Sequence, residues 1–309
     1  MIIEDLVAYI LQIMIPYILA STGIIVAGRA GVFDVTVEGL MLLSASVTFT
    51  TSYLLGGNTW LGVIAGSSIG LATGSLLWYL TSVRRINQFI AGLTLLVVYI
   101  GIAGLIYKLV IGITLTPPRI PVLTGLDWLS INVPFLGSVL LKQNPLFYIA
   151  IALIITLHML IFSSGWGISY RAVGENPRAA DTSGVDVMRV RLLALIMGNL
   201  LIALSGAYLV STFTGTYTDT IVSGRGWISI GIAIFGGWRI LESLLGAVLI
   251  SSIETSIFIL QASGTWIPYQ ILQMIPYISM ISILVWISKK AVLPRSLGRN
   301  YDRESYEEF

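Results

Sequence analysis

The chain has 309 residues, of which 56% are apolar and 10% charged, against about 45–50% and 25% in soluble domains. That balance excludes an ordinary soluble enzyme, a disordered protein and a nucleic-acid binder with a basic face. Without cysteine, and with His158 as its single histidine, the chain has no disulfide framework, thiolate zinc site, cysteine nucleophile or multi-histidine metal site. The formal net charge is only +2, so the placement of the charges carries the information.

A helix needs about 20 apolar residues to cross the hydrocarbon core of a bilayer. Read against that length, the uncharged stretches predict an all-α, polytopic membrane protein with about nine transmembrane segments. The first is 6–28. Glu4 and Asp5 precede it, where a cleaved signal peptide would carry basic residues. The stretch 39–83 is uncharged for twice a span and breaks at Gly56-Gly57-Asn58, giving spans 38–55 and 60–82. The fourth span is 86–107. Residues 113–144 hold Pro117, Pro118, Pro121 and Pro134 and read as an exposed outside loop. The fifth and sixth spans are 145–162 and 192–213. The apolar run 227–238 covers only half a bilayer and reads as a short or broken helix. Spans 244–260 and 268–287 follow, and 288–309 is a polar tail.

Lysine and arginine set the orientation. With the amino terminus outside, the inside holds Arg29, Arg84, Arg85, Arg171, Arg178, Arg189, Arg191, Arg239, Lys289, Lys290, Arg295, Arg299 and Arg303. The outside holds Lys108, Arg119, Lys142 and Arg225, which completes the 17 basic residues. The tail is then cytoplasmic. Trp60, Trp78, Tyr79, Trp166, Trp266 and Trp286 fall where an interfacial aromatic belt belongs. Gly66, Gly70 and Gly74 share one face of the third span. They allow close backbone approach, either within the chain or at a subunit interface.

The inside loop 163–191 carries the clearest functional pattern. Asn176 suits an N-cap and Pro177 the first helical position. Gly184 suits a left-handed stop. A seven-residue helix, 177–183, is predicted between them, lying against the membrane and offering small residues outward. The plain alternative is a solvated connector.

This loop, RAVGENPRAADTSGVDV over 171–187, resembles the coupling loop of ABC importer permeases, in the family of branched-chain amino acid, ribose-type sugar and nucleoside permeases. Ala179, Ala180 and Gly184 keep the spacing of its Ala-Ala-x-x-x-Gly signature, with Arg178 where an acidic residue often stands. The stretch 31–44, GVFDVTVEGLMLLS, resembles the family's second-span signature. The tail 293–301, LPRSLGRNY, resembles the end of the nucleoside/simple-sugar branch.

The resemblance covers nearly the whole chain. It implies one permease domain, 1–309, of the type II importer fold in the cell membrane. Arg171, Gly174, Glu175, Asn176, Pro177, Arg178, Ala179, Ala180 and Gly184 would couple it to an ATPase. That ATPase is a separate subunit holding ATP and Mg, because no Gly-Lys-Ser/Thr occurs here. A second permease subunit, paralogue or self, and an external solute-binding protein are the further partners implied, with membrane lipid around them and no nucleic acid. The cargo route would be lined by small polar and aromatic residues without fixed charge, which suits a neutral polar solute such as a nucleoside or simple sugar.

Charges within spans are functional candidates. Asp34 and Glu38 lie four apart near Arg29 at the start of the second span, on one face of a helix drawn through both. They read either as a gate or cargo contact, or as an ion-paired helix start. Glu254 lies about ten residues into the eighth span. It reads as a partner for another subunit's polar group, or as a proton site. In the latter case the chain would be a proton- or sodium-coupled secondary transporter using Asp34, Glu38 and Glu254. Arg239 and Glu242 are expected to pair with each other or with the ATPase. His158 is expected to be a neutral packing residue.

Overall fold

Inside a bilayer an apolar chain satisfies its backbone by closing hydrogen bonds within each segment, so the long uncharged runs become helices. The computed structural model describes residues 2–112, 116–125, 139–140, 143–264, 266–287 and 293–302, and all regular structure among them is helical. Most of the loop 113–144, and the tail residues 288–292 and 303–309, lie outside the described residues.

In chain order the helices are α1 (Ile2–Arg29), α2 (Val37–Leu54), α3 (Thr59–Trp78), α4 (Gln88–Ile111) and α5 (Pro145–His158). Two short helices, α6 (Gly165–Glu175) and α7 (Pro177–Thr182), precede α8 (Val187–Tyr208). The chain ends with α9 (Arg225–Phe235), α10 (Ile240–Ala262) and α11 (Tyr269–Ile287). Each predicted span coincides with one long helix or, at 227–238, with α9. Short π-helical stretches continue α3, α5 and α8 to Val83, Ser163 and Thr214, and with them seven helices are long and apolar enough to cross a membrane. The other two of the nine expected segments are α2 and the 11-residue α9. At 1.5 Å per residue α9 is about 16 Å long, half the hydrocarbon thickness.

α1, α2 and α8 form the centre, and α3, α4, α5, α10 and α11 surround them. From Ile13 to Ala27 the first helix is buried on every side. α2 is rich in Ser and Thr, and its hydroxyls are spent inside the bundle. Ser44 donates to the Ala203 carbonyl, and Ser46 to the Ala103 carbonyl at 2.7 Å. Polar groups without water must find such partners.

The glycine stripe of α3 packs within the chain. A Cβ at Gly66 would collide with Thr48, and one at Gly70 or Gly74 would press into the backbone of α8 at 199–200 or 195–196. The small residues therefore bring α3 against α2 and α8 rather than against another subunit. His158 stacks on Phe162, and Arg239 pairs with Glu242 at 3.0 Å.

Candidate functional site: a coupling element and a polar cavity

The inside loop is built as a two-helix bracket. Ser164 caps α6 by accepting from the Gly167 amide at 3.0 Å. Tyr170, fully buried, donates to the Val26 carbonyl near the end of α1 at 2.6 Å. A Cβ at Gly174 would collide with the Arg29 carbonyl, so this glycine lets α6 sit directly on the end of α1. The Asn176 side chain then accepts from the Ala179 amide at 3.0 Å, with Pro177 opening α7. At the other end Val185 donates back to Ala180 at 3.0 Å while Gly184 takes φ +89°, the left-handed stop. The predicted cap, opening proline and terminal glycine are all present. The helix has six residues rather than seven, and α6 was not anticipated.

The exposed surface of this bracket differs from expectation. Ala179, Thr182, Ser183 and Gly184 face outward, but Pro177 and Ala180 are buried, and so is Gly174. These three pack against the body of the protein rather than outward. Arg171 is half-buried over Phe162, with its Nε donating to the Gly167 carbonyl at 3.2 Å. Glu175 is exposed at 3.8 Å from Arg29, and Arg178 is half-buried.

The tail joins this element, which the sequence reading missed. Tyr301 donates to Asp181 on α7 at 2.8 Å, and Ser296 donates to the Gly174 carbonyl through both its amide and its hydroxyl. Asn300 donates to the carbonyls of Arg85 and Ile86, and Asp302 pairs with Arg85 at 2.6 Å. The family-like tail was legible only as a pattern, with no periodicity or charge run to signal where it folds.

In the middle of the bundle, the expected acidic residues part company. α2 begins at Val37, so Asp34 precedes the helix and shares no helix face with Glu38. Asp34 is fully buried and accepts from the Thr36 amide and hydroxyl at 2.8 and 2.7 Å and from Asn199 of α8 at 2.8 Å. Neither acid pairs with Arg29, whose Nε donates to the Trp238 carbonyl at 2.8 Å. Glu38 instead accepts from the amides of Gly224 and Gly226, at 2.7 and 2.8 Å. A carboxylate here satisfies amides that the first turn of α9 leaves without helical partners and suits the positive end of the helix.

Glu254 is paired within its own chain. It binds Arg225, the first residue of α9, and accepts from Tyr17 of α1 at 2.9 Å. Tyr277 of α11 donates to the Ser223 carbonyl at 2.6 Å, where the chain turns through φ +47° at Ser223 and +74° at Gly224. The start of α9 is thereby tied to α1, α2, α10 and α11. Arg225 was placed outside by charge counting. It lies instead in the bundle, 17% exposed beside its carboxylate.

These groups border a cavity of about 610 Å³, lined among others by Glu38, Asp219, Thr220, Arg225, Glu254, Gln261, Gln273 and Tyr277. Its size is that of a small-molecule site. A route without fixed charge was expected, and the cavity wall contains three acids and one base. Glu38, Arg225 and Glu254 are occupied by one another or by backbone. Asp219 is exposed and accepts from Tyr217 at 3.2 Å. Asp34 does not line this cavity.

Comparison with known proteins agrees with this architecture. Residues 6–284 match the family described as branched-chain amino acid transport system, permease component. The nucleoside ABC transporter permease protein NupC of Lactococcus lactis is 29% identical, over 97% of each chain. The guanosine ABC transporter permease protein NupQ of Bacillus subtilis is 30% identical, over 93% of this chain and 92% of the relative. The fold is shared with an ABC transporter of the metal-chelate type solved in an inward-facing conformation. That likeness has a TM-score of 0.53 and 15% identity, over 90% of this chain and 84% of the other. The chain belongs to the branched-chain amino acid transport system permease family, as a translocation component of an ABC transporter rather than an enzyme.

Proposed function

We propose that this chain is the membrane-spanning half of an ATP-driven importer for a neutral polar solute, a nucleoside or simple sugar. The carrying observation is the α6–α7 bracket. It is bound to the end of α1 through Tyr170 and Gly174 and leaves Ala179, Thr182, Ser183 and Gly184 open. A rigid projection of this kind can pass the movement of an ATPase into the central helices. ATP and Mg belong to that ATPase. A second permease subunit, a paralogue of this chain, and an external binding protein complete the assembly. The names of the relatives support the cargo class. The cavity supports it too, because Thr220, Gln261, Gln273 and Tyr277 offer hydroxyl and amide groups, while Arg225 and Glu254 neutralise each other and Glu38 is held by the amides of Gly224 and Gly226.

The proposed topology puts the amino terminus outside, the tail inside and the crossings at nine, counting α2 and α9. It sets the chain in the plasma membrane. Single cysteines can test this without background, since the chain has none. Cysteines replacing Thr116 or Ser263 should react with an impermeant thiol reagent added to intact cells, and one replacing the exposed Ser183 should react only after lysis. Labelling of the Ser183 position in intact cells would overturn the orientation and the coupling role together.

A further inference from the structure

The coupling bracket borders a second feature. A pocket of about 500 Å³ is lined by Glu175, Asn176, Arg295 and Arg299. Both arginines are exposed, and among the described residues neither guanidinium has an ion-pair or hydrogen-bond partner. Glu175 stands 3.8 Å from Arg29, so its charge is partly engaged elsewhere.

The backbone that carries these arginines is held firmly. Ser296, between them, is buried and donates twice to the Gly174 carbonyl. The Arg299 carbonyl accepts from Gln88 at 3.0 Å and from Arg191 at 3.2 Å. Beyond it, Asn300 and Tyr301 are anchored on the α3–α4 turn and on α7. Two like charges are thus presented from an anchored segment, at the foot of the coupling helix, with no ion-pair partner among the described residues. Such an arrangement lowers its energy when an anion enters, and guanidinium forks match a carboxylate in geometry.

We infer that Arg295 and Arg299 form a second docking point for the ATP-binding subunit and receive an acidic side chain from it. The inference rests on the reading that this subunit docks on α7. It extends the contact from the loop to the tail. The pocket wall favours a protein carboxylate over a lipid phosphate. Two of its four residues, Glu175 and Asn176, are the bracket's own and lead directly into α7, so whatever covers α7 covers the pocket.

The test uses the complex of permease and ATP-binding subunit purified from co-expressing cells. Arg295→Lys and Arg299→Lys keep the charge and supply an amine. Treatment with a zero-length carbodiimide should then join that amine to an Asp or Glu of the ATP-binding subunit, read by peptide mass spectrometry. The double reversal Arg295→Glu/Arg299→Glu should weaken association by about tenfold or more at low salt, with the difference shrinking in high salt. Arg84→Glu, a reversal outside the pocket, should have little effect. The complex is compared in nanodiscs of neutral and of anionic lipid. A defect confined to anionic lipid would assign the pocket to lipid and overturn the inference. So would unchanged association in the double reversal while Ala179→Trp abolishes it. If neither change weakens association, the docking of the ATPase on α7 falls as well.

Discussion

Charge is handled in opposite ways at the two ends of this mechanism. On the coupling side, Glu175, Arg189, Arg239, Arg295 and Arg299 stand in the open; Arg189 and Arg239 pair only with a neighbour three residues away, Glu175 pairs loosely, and Arg295 and Arg299 have no partner among the described residues. In the bundle, Asp34, Glu38, Arg225 and Glu254 are each held by several named partners. An exposed charge is available to a partner and contributes little to folding. A charge in the bundle organises the fold and is costly to leave alone. The difference assigns recognition to one region and architecture to the other.

The sharpest way to break this contrast is to orphan a buried charge. Arg225→Met leaves Glu254 facing Tyr17 alone and should cost about 3–5 kcal/mol, seen as a lowered unfolding temperature of the detergent-purified protein. The double change Arg225→Met/Glu254→Met should recover most of that loss. If it recovers nothing, the pair is not acting as a unit.

Glu38→Gln comes next. Glutamine keeps one acceptor but turns an amide N–H toward the Gly224 or Gly226 amide. A loss of about 1–3 kcal/mol is expected, with the damage near α9, read as faster hydrogen exchange there than in α3.

The neighbours Ala179 and Ala180 sharpen the contrast within one helix. Ala180→Glu forces a carboxylate into a buried site and should reduce the amount of folded protein. Ala179→Glu should leave folding unchanged and reduce transport, with both measured at matched expression. Equal behaviour of the two would deny that α7 has an inner and an outer face.

Tyr301→Phe removes the hydroxyl that holds the tail to Asp181 and should cost about 0.5–1.5 kcal/mol. The smallest effect belongs to Glu242→Gln, which breaks the exposed pair with Arg239. A change of about 0–1 kcal/mol is expected there, measurable in the same unfolding assay.

The long apolar helices and the α7 caps were legible because each depends on residues adjacent in sequence. A run of apolar side chains reports its own span, and Asn176, Pro177 and Gly184 report their own helix ends. The pairing of Glu254 with Arg225, the capping of α9 by Glu38 and the clasp of Tyr301 on Asp181 join residues 29, 186 and 120 positions apart. No local pattern encodes such meetings. Charge counting misplaced Arg225 for the same reason. It treats every arginine as a loop residue, whereas a carboxylate on a neighbouring helix can hold one in the bundle. The burial of Ala180 was hidden by helix geometry. Two adjacent alanines look equivalent in sequence, yet they point about 100° apart around a helix, Ala179 outward and Ala180 into the body.

Reconstitution tests the coupling claim most directly. Permease, its ATP-binding subunit and the binding protein are placed in proteoliposomes, and uptake of a labelled nucleoside is followed with and without ATP. Uptake should require ATP, persist when proton and sodium gradients are collapsed, and fall with Ala179→Glu while the complex stays folded. Uptake driven by an ion gradient with no ATPase present would contradict this and make Glu38 and Glu254 the working parts of a secondary transporter.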